Sequence, residues 1–310
     1  MAANEVKVKE FKSGPRAQLE WGFGGRRRLR DGALLIALFV GGIGAGQFII
    51  STSVIESTTS ALTGLLIVGV GKTVAHLVYL GRPERFYRMF LRPQSSWISR
   101  GLIFMIFFVM FAAGYLGPEL GFDWLPWTAD STFGQLLWTG ALAAGVLVMV
   151  YDGFAMASCK SIASWHTALL PVLFFVYSLA GGIALTVLTT FAAGDEALDD
   201  ETMLTLDAFL LMSMLALVVI YMMNLKGSTK TAKESLRLLT RSSLAFFFIG
   251  LAILAGLGVP LTLAYLQHVG DYESIASGLL AASAVFELTG DISVRHSILR
   301  TGLHAPFVDA

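Results

Sequence analysis

Charged side chains are scarce in this 310-residue chain. Only 14% of its residues are Asp, Glu, Lys or Arg, while 55% are hydrophobic. A soluble globular domain carries about 25% charged residues, so this chain lacks the polar surface that water requires. The scarcity excludes a soluble enzyme, a nucleic-acid-binding domain and a disordered chain. The formal net charge of +0 gives no sign of a polyanionic partner. The composition therefore predicts a polytopic membrane protein.

Cysteine and a secretory signal are also lacking. The single cysteine, Cys159, excludes a disulfide framework and an iron–sulfur cluster held by this chain, which needs about four thiolates. Residues 1–31 are polar and basic and have no short apolar core with a cleavage site. Of the five histidines only His76 lies well within a hydrophobic run, so paired haem ligands are not expected either. No metal site is predicted.

Eight hydrophobic runs approach the length of about 20 residues that a helix needs to cross a bilayer. They cover residues 33–51, 59–80, 102–116, 133–157, 169–193, 203–225, 244–266 and 275–289. The runs are long and continuous, which favours helices over a membrane β-barrel. The predicted fold is all-α, a bundle of eight transmembrane helices. We divide the chain into a basic N-terminal segment (1–31), a transmembrane domain (32–292) and a C-terminal tail (293–310).

The basic residues lie on one side of this bundle. All but one of the 22 lysines and arginines fall before the first run, in alternate loops, or after the eighth run, and the exception is Lys72. The positive-inside rule places such loops in the cytoplasm. We therefore expect both termini to be cytoplasmic, in the cytoplasmic (inner) membrane of a bacterium or archaeon.

Ionisable residues inside membrane helices are costly and suggest function. Lys72 and His76 are four residues apart, so they share one face of the second helix. The topology brings a cation, an imidazole and a phenol to the cytoplasmic end of the bundle. Such groups suit a quinone, whose carbonyl oxygens need hydrogen-bond donors and whose reduction needs proton carriers. The candidate quinone-binding residues are His76, Tyr151, Arg82, Asp152 and Trp165.

Other charged residues have two interpretations each. Lys72, Asp207 and Glu287 are candidates for a proton path. Lys72 equally fits a static pair with a carboxylate, Asp207 fits a solvated helix end, and Glu287, Asp291 and Arg295, spaced by four, equally predict an internal ion-pair ladder. Arg85, Arg88 and Arg92 are candidates for partner docking or for anchoring a loop to anionic lipid headgroups. Tyr151 and Trp165 also fit an interfacial aromatic belt.

Three segments resemble the NrfD / polysulfide reductase membrane-subunit family. They are residues 76–85 (HLVYLGRPER), 93–101 (PQSSWISRG) and 151–158 (YDGFAMAS). The resemblance implies an anchor that exchanges electrons between menaquinone or ubiquinone and an iron–sulfur subunit, without a haem of its own. It also implies that His76 and Tyr151 serve the quinol site. Asp152 departs from the small or neutral residue that is usual there.

The resemblance further implies partners: a four-cluster iron–sulfur subunit and, commonly, a molybdopterin or tungstopterin catalytic subunit. Together with the charge pattern it predicts a cytoplasmic catalytic module, of a sulfite-oxidising, acyl-CoA-oxidising or formate dehydrogenase type. Two alternatives remain. One is a secondary transporter whose buried charges bind substrate or coupling ions, and the other is a structural anchor without a quinone site.

Overall fold

Helices make up the regular structure of the described part of the chain. The computed structural model describes residues 25–80, 82–194, 201–269 and 277–304, and these ranges contain no β-strand. The helices are α1 (Gly25–Ser53), α2 (Thr58–Leu80), α3 (Trp97–Glu119), α4 (Thr132–Ala157), α5 (Leu169–Ala193), α6 (Glu201–Gly227), α7 (Lys230–Arg241), α8 (Phe246–Gly258 continuing as Val259–Val269) and α9 (Ser277–Arg300). A 3-10 helix, Pro83–Phe90, follows α2.

Seven helices within the described ranges are long and apolar enough to cross a membrane: α1 to α6 and α8. The prediction of an all-α membrane protein is confirmed, whereas the count of eight is not. The helix that falls short is α9. It has 24 residues, but Glu287, Asp291 and Arg295 are all buried within it and lower its apolar content.

Several predicted boundaries differ from those observed. Helix α3 begins at Trp97, earlier than residue 102, because the Ser96 hydroxyl accepts a hydrogen bond from the Ser99 backbone N–H and caps the helix. Helix α9 runs on to Arg300, beyond residue 289, because its charged side chains are covered by other helices. The basic stretch after α6 forms α7, which Thr229 caps. Most of the predicted N-terminal segment, residues 1–24, and the end of the predicted tail, residues 305–310, lie outside the described residues.

Helix α1 lies at the centre of the bundle and packs against α2, α4, α5 and α9. Its contact with α5 is a backbone contact: a Cβ added to Gly46 would overlap the carbonyl of Ser178, and one added to Gly182 would overlap the carbonyl of Gly46. Small residues at membrane helix contacts let backbones approach closely. Side chains of the neighbouring helices can therefore come close to the backbone of α1.

Helix α2 is not regular throughout. Its middle turn, Ile67–Lys72, is π-helical, and Lys72 is the last residue of that turn. Single π-helical turns inside α-helices are frequent at functional sites. The turn sets the direction in which Lys72 leaves the helix.

Candidate functional site

A buried ion pair joins α2 to α4. Lys72 Nζ lies 3.1 Å from Asp152 Oδ2, and both side chains are almost fully buried. The same ammonium donates a hydrogen bond to the backbone carbonyl of Ala37 in α1, at 3.0 Å. Because a buried charge is costly unless it is paired and hydrogen-bonded, these contacts explain how a lysine is accommodated here.

Glycines make room for this pair. A Cβ added to Gly41 of α1 would overlap the side chain of Lys72, and one added to Gly153 of α4 would overlap the backbone of Pro171 in α5. The first glycine lets the ammonium reach the α1 carbonyl. The second holds the end of α4 against α5, where Asp152 is fixed.

Tyr151 and His76 lie against the same ion pair. The Lys72 ammonium stands 4.8 Å from the centre of the Tyr151 ring, and the ring packs so closely on Gly101 of α3 that a Cβ there would overlap it. His76 Nδ1 is 3.0 Å from the backbone carbonyl oxygen of Lys72. A carbonyl only accepts hydrogen bonds, so Nδ1 carries a proton and Nε2 is the nitrogen left for another partner. We call Lys72, His76, Tyr151 and Asp152 the Lys72 cluster.

A second buried ion pair also contacts α1. Arg295 Nε is 2.6 Å from Asp291 Oδ1 in α9. Its other nitrogens donate to the Leu38 carbonyl at 3.1 Å and to the Ser178 hydroxyl at 3.2 Å. The predicted ion-pair ladder of α9 is thus confirmed for Asp291 and Arg295.

The two pairs contact successive carbonyls of α1. Lys72 binds Ala37 and Arg295 binds Leu38. Gly42 gives the second pair its space, since a Cβ there would overlap the Ser178 side chain and approach Arg295. One turn of α1 therefore links the Lys72 cluster to the pair in α9.

Glu287 of α9 and Asp207 of α6 form no ion pair within the described part of the chain. Glu287, one turn before Asp291, is 2% exposed. Among the described residues neither Glu287 Oε1 nor Asp207 Oδ1 has a hydrogen-bond partner, although both atoms are buried. The third member of the predicted ladder is therefore a buried carboxyl outside the Asp291–Arg295 pair.

The arginines after α2 share a cavity. Arg82, Arg88 and Arg92 line a space of about 650 Å³ between the end of α2 and the start of α3, together with Leu80, Met89, Leu91, Ser96, Ile98 and Ser99. All three arginines are exposed. The sequence assigned Arg82 to the quinone site, and the structure groups it with two of the docking candidates. The side chain of the third, Arg85, lies outside the described residues.

Trp165 has a different environment from the Lys72 cluster. Its indole Nε1 donates to the Ile298 carbonyl at 2.8 Å, and a Cβ on Gly302 would overlap its ring. Trp165 therefore ties the loop between α4 and α5 to the end of α9.

Sequence reasoning did not link Lys72 to Asp152. It placed the lysine on a proton path, with a static pair to an unnamed carboxylate as the alternative, and the aspartate in a quinone site, whereas the structure makes them one pair. The available signal was charge balance: a cation in one hydrophobic run and an anion in another need each other. Nothing comparable in the sequence indicated that Gly41 and Gly42 make room for the two ion pairs.

Comparison with known proteins gives one positive result. The family model described as "Polysulphide reductase, NrfD" matches residues 31–306, nearly the whole chain. A search of curated proteins gave no match. The matched region includes both ion pairs and the arginine cavity.

Proposed function

The chain belongs to the NrfD (polysulphide reductase) family, and from this premise we propose that it is the quinone-reactive anchor of a multi-subunit oxidoreductase. The family supports a membrane subunit of a reductase complex. The proposal adds that this chain passes electrons between menaquinone or ubiquinone and an iron–sulfur subunit. The observation that carries it is the Lys72 cluster, which holds a buried ion pair beside an imidazole and a phenol.

His76 and Tyr151 would bind the quinone oxygens. The Nε2 atom of His76 is the nitrogen that remains for a ligand, because Nδ1 is held by the Lys72 carbonyl. The Tyr151 hydroxyl is a second donor or acceptor. Asp152, paired with Lys72 at 3.1 Å, is the nearest carboxylate to exchange protons with them. Arg82 would lie at the entrance of the quinone site, and Trp165 would hold the loop between α4 and α5 in place.

The arginine cavity supports docking of the partner. Arg82, Arg88 and Arg92 give this surface a positive charge, and Arg85, the other proposed docking residue, belongs to the 3-10 helix Pro83–Phe90. Such a charge attracts an acidic surface. We assign the docking partner as a four-cluster iron–sulfur subunit, with a molybdopterin or tungstopterin catalytic subunit bound to it.

We also propose that α9 is an eighth span. Its three buried charges face other helices instead of lipid, which removes the main obstacle to crossing a bilayer. Eight spans and the loop charges put both termini in the cytoplasm. A reporter fused after Ala310 is expected to be active only in the cytoplasm, and activity only in the periplasm would reverse this topology.

Lys72, Glu287 and Asp207 would carry protons. Lys72 and Arg295 are matched by Asp152 and Asp291, whereas Glu287 and Asp207 have no cationic partner within the described ranges. An unpaired carboxylate is costly in such surroundings, so at least one of these two carboxyls holds a proton at rest. A buried carboxyl that exchanges its proton is the element that a path needs.

The direct test is His76→Ala in the intact complex. We expect quinone-linked turnover to be abolished, because Nε2 is lost, while turnover of the catalytic subunit with a soluble dye stays intact. His166→Ala is the matched control, since His166 is an exposed histidine in the loop between α4 and α5. Unchanged quinone-linked turnover in the His76 variant would remove this residue from the site.

A further inference from the structure

Helix α7 carries a basic face that the proposed function does not use. The exposed residues of this 12-residue helix are all basic, and they are Lys230, Lys233, Arg237 and Arg241. At 3.6 residues per turn, their positions fall within roughly 80° of the helix circumference. We call these four residues the basic stripe.

The opposite face of α7 holds the helix against the bundle. Ala232, Ser235 and Leu239 are fully buried, and by the same periodicity they point almost directly away from the basic stripe. The Ser235 hydroxyl donates to the carbonyl of Thr301, just after the end of α9, at 2.8 Å. These contacts fix the rotation of α7 about its axis and turn the basic stripe away from the other helices.

Short connections keep α7 at the membrane surface. Residues 228–229 join it to α6 and residues 242–245 join it to α8, and both of these helices are long and apolar enough to cross a membrane. An extended residue spans at most about 3.6 Å, so each end of α7 stays within about 15 Å of the end of a span. A helix about 18 Å long that is tethered at both ends in this way lies along the surface, at the level of the lipid headgroups.

Most of the charge on the basic stripe is uncompensated. Arg237 has a carboxylate nearby, that of Glu234 at 3.6 Å, and Glu234 is the only acidic residue in α7. The other three stripe residues form no ion pair with the part of the chain that the structure describes. A surface helix with a cationic face attracts anionic lipids, and both the guanidinium and the ammonium group bind phosphate oxygens.

We propose that the basic stripe of α7 binds the headgroup phosphates of anionic phospholipids, the class to which phosphatidylglycerol belongs. Lipid is favoured over an acidic protein because the stripe runs the full length of a helix tied to the membrane plane, where phosphates are present along its whole length. Long basic side chains also reach headgroups while their stems cover apolar surface. The inference involves no residue of the Lys72 cluster, so it does not depend on quinone reactivity.

The test measures which lipid lies beside α7. A fluorophore is attached to the full-length protein at Ser228→Cys, an exposed position before α7, with Cys159→Ser removing the native cysteine. The protein is placed in vesicles of zwitterionic phosphatidylcholine that contain some phosphatidylglycerol or phosphatidylcholine with a nitroxide quencher near the headgroup end of one acyl chain. We expect the association constant for phosphatidylglycerol to exceed that for phosphatidylcholine by about fivefold or more, and added salt should reduce this ratio. Equal quenching by the two lipids would refute the proposal.

Two variants of the basic stripe separate charge from fold. Changing all four residues to Gln should bring the ratio of association constants to about one, because each basic side chain near the surface contributes about fivefold. The matched control exchanges Lys for Arg and Arg for Lys at the same four positions, which keeps every charge and should keep the wild-type ratio. Both variants should melt like the wild type, since the four side chains are exposed. An unchanged ratio in the Gln variant would overturn the proposal.

Purification of the Gln variant from its native membrane distinguishes lipid from a protein partner. If the variant loses its co-purifying subunits but keeps the wild-type preference for phosphatidylglycerol, the basic stripe binds a protein and the proposal is wrong. A lost lipid preference supports the lipid site whether or not the subunits remain. Failure of the proposed function has a different readout: unchanged quinone-linked turnover in His76→Ala would refute the quinone site and leave the lipid preference beside α7 as it was.

Discussion

The strength of the Lys72–Asp152 pair can be predicted from its geometry. Two unit charges 3.1 Å apart attract by about 5 kcal/mol at an effective dielectric constant near 20. Removing one partner of a buried pair typically costs about 3–5 kcal/mol, because the other charge stays buried and unpaired. We therefore expect Asp152→Asn and Lys72→Met each to lower the free energy of unfolding by about 3–5 kcal/mol.

The double variant should recover much of that loss. With both charges removed, no uncompensated ion remains, so the effects of the two substitutions do not add. We expect a coupling free energy of about 2–3 kcal/mol in a double-mutant cycle. The measurement is denaturant-induced unfolding of the purified protein in mild detergent, with all four variants at one pH and salt concentration.

A surface pair provides the control. Arg237 and Glu234 lie 3.6 Å apart in α7, and their side chains are 68% and 33% exposed. Exposed pairs of this kind couple by about 0.3–0.5 kcal/mol. If Lys72 and Asp152 coupled no more strongly than this pair, the account of a buried interaction holding α2 to α4 would be wrong.

Two glycine substitutions test the close contacts. Gly101→Ala places a Cβ against the Tyr151 ring, so it should raise the KM for quinone and leave dye-linked turnover unchanged. An unaltered KM would separate Tyr151 from the site. Gly182→Val meets the backbone of Gly46 and should cost at least about 1–3 kcal/mol, as overpacking does. Gly227→Ala, where a Cβ has no heavy atom within 4 Å, should unfold like the wild type, and equal losses in both variants would contradict the packing argument.

The membrane class and most helices could be predicted from the sequence because they depend on local composition. The run 169–193 coincides with α5, Leu169–Ala193, since no charged residue interrupts it. The run ending at residue 289 fails to predict the end of α9, because Asp291 and Arg295 beyond it pair with each other and Arg295 is hydrogen-bonded to α1 and α5. Helix α7 has 12 residues, too few and too charged to stand out from a loop.

The site itself could be predicted only in part. Lys72, His76, Tyr151 and Asp152 stand out as polar residues in or at the ends of apolar runs. Their grouping depends on contacts between residues far apart in the sequence, such as Lys72 and Asp152, which are 80 positions apart. The glycines that admit them are ordinary in membrane helices, so their role emerges only when α1 to α5 are packed together.

Lys72 and Arg295 both bind the same turn of α1, and this affects how the helices are inserted into the membrane. Asp, Lys and Arg each cost about 2.5–3.5 kcal/mol when a single helix enters the bilayer from the translocon. Helix α9 contains several ionisable residues. Arg295 donates hydrogen bonds to Leu38 of α1 and Ser178 of α5, which are synthesised long before α9. On the proposal that α9 is an eighth span, we expect it to enter the bilayer against a preformed surface of α1 and α5. Its insertion would then succeed only where α1 and α5 are already correctly packed.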